Sequence, residues 1–177
     1  MVTEYKLDSQ WILWYHNPYD CNWDKTSYTK IYQIDSVNNF WKLQNSMDNL
    51  PNINEAMYFI TRIKDDNIIW PNWEDPYNIN GGFWSFKVSE ENTYEAWKYL
   101  NLYLFSNNIT KNKDDSGSIN GISISPKKCF SIIKIWNNDC NNSDNDILNP
   151  DIPYFDISEV VYKSHNTNIE NDQKKKK

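Results

Sequence analysis

Arginine is almost missing from this chain: Arg62 is the only one among 177 residues. With a net charge of -6, that excludes a protein gripping nucleic acid mainly through phosphates, which needs a broad basic surface. Any RNA contact is then local and built around a pocket. Cysteine is scarce too. Cys21, Cys129 and Cys140 are widely spaced and contain no CxxC. With only His16 and His165 beside them, they form no zinc pattern. The four glycines make no phosphate-cradling loop, and no nucleophile–base pair or metal cluster stands out, so neither an enzyme nor a cofactor is expected. No apolar run is long enough to span a membrane, and no signal peptide precedes the polar N-terminus. A cytoplasmic, reducing location is expected, and the sequons at Asn108 and Asn141 read as chance in an Asn-rich chain.

What is plentiful is aromatic. The hydrophobic share is 39%, yet 16% of residues are aromatic and nine are Trp. A core alone rarely calls for so many large rings, so a flat ligand, a partner surface, or both are implied. The length suits one domain with its own core, expected as a monomer. Residues 1–165 read as that domain and 166–177 as a flexible, Lys-rich tail.

Trp11 to Tyr15 reads as a buried strand and Ile31 to Ile34 as a short one. Ser36 predicts an N-cap for a helix to about Met47, with Phe40, Leu43 and Met47 on its core stripe and Val37 and Trp41 on the flank. Met57–Ile63 and Asn67–Trp70 predict a hairpin around Asp65-Asp66. Phe83 to Val88 alternates, with Trp84, Phe86 and Val88 on one face. Asn92 and Glu95 predict a helix start, with Trp97, Leu100 and Leu104 as its stripe. Gly121–Ser125 and Phe130–Trp136 form a second hairpin, with Ile133 and Ile135 facing one way and Ile132, Lys134 and Trp136 the other. The class is α+β: a largely antiparallel sheet with about three helices. His16 and His165 read as surface or loop residues.

The densest chemistry is Trp73-Glu74-Asp75, on a loop between strands. A carboxylate beside an exposed ring can accept two hydrogen bonds from the N1–H and exocyclic amine of guanine, an edge no other base offers. Asp75 reads as a residue that fixes the loop. A 7-methylated guanine is cationic, so indole faces attract it by cation–π as well as by stacking, at about 0.5–2 kcal/mol per ring. Its phosphates need cations, and Lys127, Lys128 and Lys134 lie in the hairpin that ends at Trp136. A carbohydrate-binding module could also use many Trp, but it would leave Glu74 and these lysines unexplained.

Several runs keep one order along the chain: Trp11-Ile12-Leu13-Trp14-Tyr15, Trp23, Ser36 to Trp41, Trp70-Pro71-Asn72-Trp73-Glu74-Asp75, Asn80 to Trp84, Trp97, Ile135-Trp136 and Ser164-His165. Together they resemble the eukaryotic translation initiation factor 4E family, over Tyr5 to His165, in a divergent form. Trp70 is an extra ring. The resemblance implies a curved antiparallel sheet backed by three helices, with a cap slot on the concave side and partners on the helical back. It implies that Trp23 and Trp73 sandwich the 7-methylguanine of the mRNA cap, that Glu74 reads the base, and that Trp136 meets the N7-methyl group. Lys127 falls at a phosphate-binding position. The second such position is Ile132, for which Lys128 or Lys134 can substitute. Val37, Trp41 and Leu102 match the patch for a scaffold factor or binding protein carrying a Tyr-x-x-x-x-Leu-hydrophobic motif. Lys98 and Tyr99 depart from the family's Leu and Glu there. Two roles therefore stay open: recruitment of capped mRNA to translation initiation, or a cap-binding repressor or decoy that does not recruit the standard scaffold.

Overall fold

The order of local preferences along the chain is a run of alternating strands interrupted by two amphipathic stretches, and the architecture follows it. A computed structural model describes residues 4–175. Eight strands form one antiparallel sheet: β1 (Lys6–His16), β2 (Tyr28–Ser36), β3 (Met57–Lys64), β4 (Asn67–Ile68), β5 (Gly82–Ser89), β6 (Ile119–Pro126), β7 (Phe130–Asn137) and β8 (Val161–Ser164). Their spatial order is β2-β1-β3-β6-β7-β5-β8, with β4 paired to β3. The helices are α1 (Val37–Gln44), α2 (Thr93–Phe105) and α3 (His165–Lys175). This is the expected curved antiparallel sheet, with α1 and α2 packed behind it. None of the described helices is long and apolar enough to cross a membrane.

Because side chains alternate across a strand, each strand supplies two layers. Trp11 and Leu13 of β1, Tyr58 and Ile60 of β3, Trp84 and Phe86 of β5, and Ile133 and Ile135 of β7 join Phe40, Leu43, Trp97 and Leu100 of the helices in the main core. The intervening residues Ile12, Trp14, Tyr28, Phe59, Phe83 and Trp136 form a second, smaller cluster on the opposite face, with Trp70 and Trp73 packed against it. That second face carries the site.

Local chemistry sets the element ends. Ser36 caps α1 by accepting from Asn39 N at 3.2 Å, as its sequence position predicts. The helix stops at Gln44, and Met47 enters a separate turn of 3-10 helix yet stays in the core. At α2 the expected Asn92 cap is absent: Asn92 has helical backbone angles and no capping bond. Thr93 Oγ1 instead donates to Ser89 O at 3.0 Å, one turn earlier. The β3–β4 turn puts Asp65 and Asp66 at φ of 50° and 59°, the left-handed pair a two-residue hairpin requires. Arg62 is buried and structural. Its guanidinium donates to Ile119 O, Ser116 O and Ser9 Oγ and lies 4.3 Å from the centre of the Trp11 ring. Burial lowers it to about 10.

Within the segment read as a Lys-rich tail, a helix, α3, runs from His165 to Lys175; Lys176 and Lys177 lie outside the described residues. Two contacts account for the helix. Ser164 Oγ accepts from Thr167 N at 3.2 Å, and His165 is fully buried, which ties the first turn to the sheet.

Candidate functional site

On the face away from α1 and α2 lies a cavity of about 530 Å³. Trp23 comes to it from the β1–β2 connection, Trp73 and Glu74 from the β4–β5 connection, and Ile132, Lys134 and Trp136 from β7. Lys127 reaches it from the β6–β7 turn and Ile169 from α3. Tyr28, Met57, Phe59, Ser123 and Ser125 complete much of the wall. Every base-binding residue expected from the sequence therefore lines one cavity, and so do two of the three lysines. Lys128 is exposed at the turn and is not part of the lining, whereas its neighbour Lys127 is.

The connection bearing Trp73 and Glu74 is pinned from within. Asp75 is buried, and its carboxylate accepts from Trp70 N at 3.1 Å and from Tyr77 N at 3.0 Å, the loop-fixing part its position implies. Asn78 Nδ2 donates to Trp70 O and Asn72 O, each at 2.9 Å. Asn120 Nδ2 then joins the loop to β6 through Tyr77 O at 2.7 Å. At Gly81 a Cβ would fall 1.9 Å from Asn137 O, so only glycine lets the loop re-enter the sheet there. Rigid backbone under Trp73 and Glu74 leaves their side chains free to face the cavity.

The rings differ in what holds them. Trp136 is buried, and its Nε1 donates to Ser123 Oγ at 3.0 Å, while Phe59 packs edge-on at 6.2 Å. Trp73 is half-buried, 6.3 Å from the His165 ring. Trp23 is 48% exposed; one face stacks on His16 at 4.2 Å and 4°. Both histidines, expected near the surface, are fully buried. His16 ends β1 and His165 begins α3, positions that local periodicity does not mark as core.

Charge is split across the cavity. Glu74 is exposed and makes no ion pair among the described residues. Its carboxylate adds to the burial that raises the Tyr28 phenol. Opposite, Lys134 lies over Phe83 at 4.3 Å and over Trp73 at 5.9 Å. Burial, with the charges of Lys127 and Lys163, lowers its ammonium to about 8. His165 is pushed down to about 3 by burial first and then by Lys134. One cavity thus combines indole surface for a flat ring, a carboxylate that accepts hydrogen bonds and ammonium groups that can meet an anion.

On the helical back, Val37 and Trp41 stand exposed on α1. Leu102 on α2 is half-buried. Lys98 bonds Glu95 at 2.7 Å.

A sequence model of the family described as "Eukaryotic initiation factor 4E" matches residues 6–177. The Schizosaccharomyces pombe eukaryotic translation initiation factor 4E-2 is 27% identical over 150 residues, covering 81% of this chain and 58% of that protein. The Candida albicans eukaryotic translation initiation factor 4E is 30% identical over 152 residues, covering 80% of this chain and 68% of that one. The chain thus spans little more than half the length of the fission-yeast relative. Among solved structures, a Caenorhabditis elegans initiation factor 4E-3 in complex with the 4E-binding protein Mextli and a cap analog superposes with a TM-score of 0.78, at 21% identity, over 95% of this chain and 96% of that one. At that identity the likeness speaks for the fold, while the sequence match over nearly all of the chain speaks for descent: the protein belongs to the eukaryotic initiation factor 4E family.

Proposed function

We propose that this protein binds the 7-methylguanosine 5′ cap of mRNA, without catalysis, and recruits the message to translation initiation through a protein partner on its helical back. One observation carries the reading: Trp23, Trp73, Glu74 and Trp136, drawn from three separate segments, line a single cavity with Lys127 and Lys134. In this reading the cationic base enters between the Trp23 and Trp73 indoles, where cation–π attraction favours the methylated form. Glu74 accepts from the base's N1–H and amine, Trp136 meets the N7-methyl group, and the two lysines take the phosphates. A cap analog and a binding protein occupy the similar nematode structure, which supports both halves of the proposal. The partner docks across Val37, Trp41 and Leu102.

A Trp-fluorescence titration with 7-methyl-GTP and with GTP tests it. The methylated nucleotide is expected to bind at least tenfold more tightly, and equal affinities would remove the cation–π argument.

A second reading keeps the cap and changes the partner. Lys98, half-buried and paired with Glu95, and Tyr99 stand where the family has Leu and Glu. A cap-binding repressor or decoy that fails to recruit the standard scaffold fits those residues. Capture of a scaffold peptide separates the two roles.

A further inference from the structure

Trp23 and the extra ring Trp70 both have neighbours that the cap reading leaves unused. The His16 imidazole lies parallel to the Trp23 indole, 4.2 Å between centres and 4° between planes. It is fully buried, whereas Trp23 is about half exposed, so the indole covers the imidazole. The ring is also fixed sideways: His16 Nε2 lies 2.8 Å from Asn22 O, the residue just before Trp23. A bond to a carbonyl requires a proton on Nε2. Nδ1 is buried with no partner among the described residues, an arrangement folded proteins avoid. A leucine or phenylalanine would fill this position without that orphan nitrogen. What the histidine adds is a flat ring under Trp23 and a tether to its loop.

The surrounding loop is held as well. Lys25 Nζ lies 5.1 Å from the centre of the Trp70 ring, and Trp70 packs on Trp14 at 4.8 Å. The connection carrying Trp23 is thereby joined to the one carrying Trp73. With the backbone restrained, the remaining freedom of Trp23 is rotation of its own side chain, and that is what a parallel ring beneath it removes.

Building on the proposed cap reading, we infer that His16 is a positioning residue: it stacks on the inner face of Trp23 and holds the indole parallel to the base slot before ligand enters. The outer face stays open to the cavity. When a binding-competent state is only partly populated, the apparent Kd rises by the inverse of that fraction. A Trp23 correctly oriented about one-tenth of the time would bind about tenfold more weakly.

The test compares wild type with His16→Phe, which keeps a flat ring, and His16→Leu, which fills the space without one. Thermal unfolding checks that each is folded, and His16→Ala is the reserve where His16→Leu fails to fold. Three readouts are taken: 7-methyl-GTP affinity, the association rate, and the indole N–H resonance of Trp23 in the ligand-free protein. His16→Leu is expected to raise Kd about tenfold through slower association and to average the Trp23 resonance. His16→Phe is expected to stay within about threefold of wild type with a sharp resonance. A His16→Leu affinity within threefold of wild type overturns the positioning role, and so does a His16→Phe variant as weak as His16→Leu. Wild type that binds no 7-methyl-GTP removes the cap reading itself and this proposal with it. Wild-type binding unaffected by His16→Leu removes the positioning role alone.

Discussion

The ammonium of Lys134 rests 4.3 Å from the centre of the Phe83 ring, in the cavity wall, and makes no ion pair among the described residues. Burial and two neighbouring lysines bring it down to about 8. A buried cation without an ion pair is a liability until an anion neutralises it, so in the proposed cap reading the phosphates of the nucleotide are its natural counter-charge.

Lys134 is therefore expected to help binding only while charged. In the free protein it holds its proton below about pH 8 and loses it above, and bound phosphate shifts that midpoint upward. The ratio of 7-methyl-GTP affinities between wild type and Lys134→Met should favour wild type below pH 8 and shrink towards unity as pH rises. Taking the ratio cancels the ligand's own titration. A ratio independent of pH would show that Lys134 does not contact phosphate.

Glu74→Ala is expected to weaken 7-methyl-GTP binding by about 1.5–3 kcal/mol, the size of a hydrogen bond to a charged group, or roughly 10- to 100-fold. The exposed carboxylate makes no ion pair among the described residues, so the fold should be unaffected. Lys134→Ala should cost less. Equal losses, measured by the same fluorescence titration, would move base reading away from Glu74.

His165 predicts a loss of stability in acid. Its imidazole is held neutral in the fold down to about pH 3 and takes a proton near 6.5 when unfolded. Between those values the unfolded chain binds more protons, so stability falls as pH drops from about 6.5 towards 3, by up to about 1.4 kcal/mol per unit. Thermal unfolding from pH 4 to 7 checks this against His165→Leu, in which the carboxylates titrate equally. The same pH slope in both proteins would discard the prediction.

Trp41→Ala is expected to abolish capture of a peptide bearing the Tyr-x-x-x-x-Leu-hydrophobic motif, at a cost of about 2 kcal/mol or more for an anchoring indole, and to leave 7-methyl-GTP affinity unchanged. Replacing Lys98 with Leu and Tyr99 with Glu should tighten the peptide if recruitment of the standard scaffold is the role. Wild-type protein that ignores the peptide, but gains it with that double change, supports the repressor or decoy reading instead.

Residue patterns by themselves determined seven of the eight strands, the two helices α1 and α2, the alternating faces of β5 and β7, and the α1 cap at Ser36, but neither β8 nor α3. Those depend on side chains a few positions apart, where alternation and capping act directly. The motif around Trp73 also marked Asp75 as the residue that fixes the loop, because its carboxylate bonds backbone a few positions away. Only the tertiary structure decided what depends on distant segments meeting. It brought Trp23 and Trp73 to one cavity and kept Lys127 and Lys134 there while leaving Lys128 outside. It buried His16 and His165, which no local period marks as core, and it wound 165–175 into a helix that sets Ile169 against the site. Burial and close approach are sums over the whole fold, so a residue's exposure and charge state are not written in its immediate neighbours.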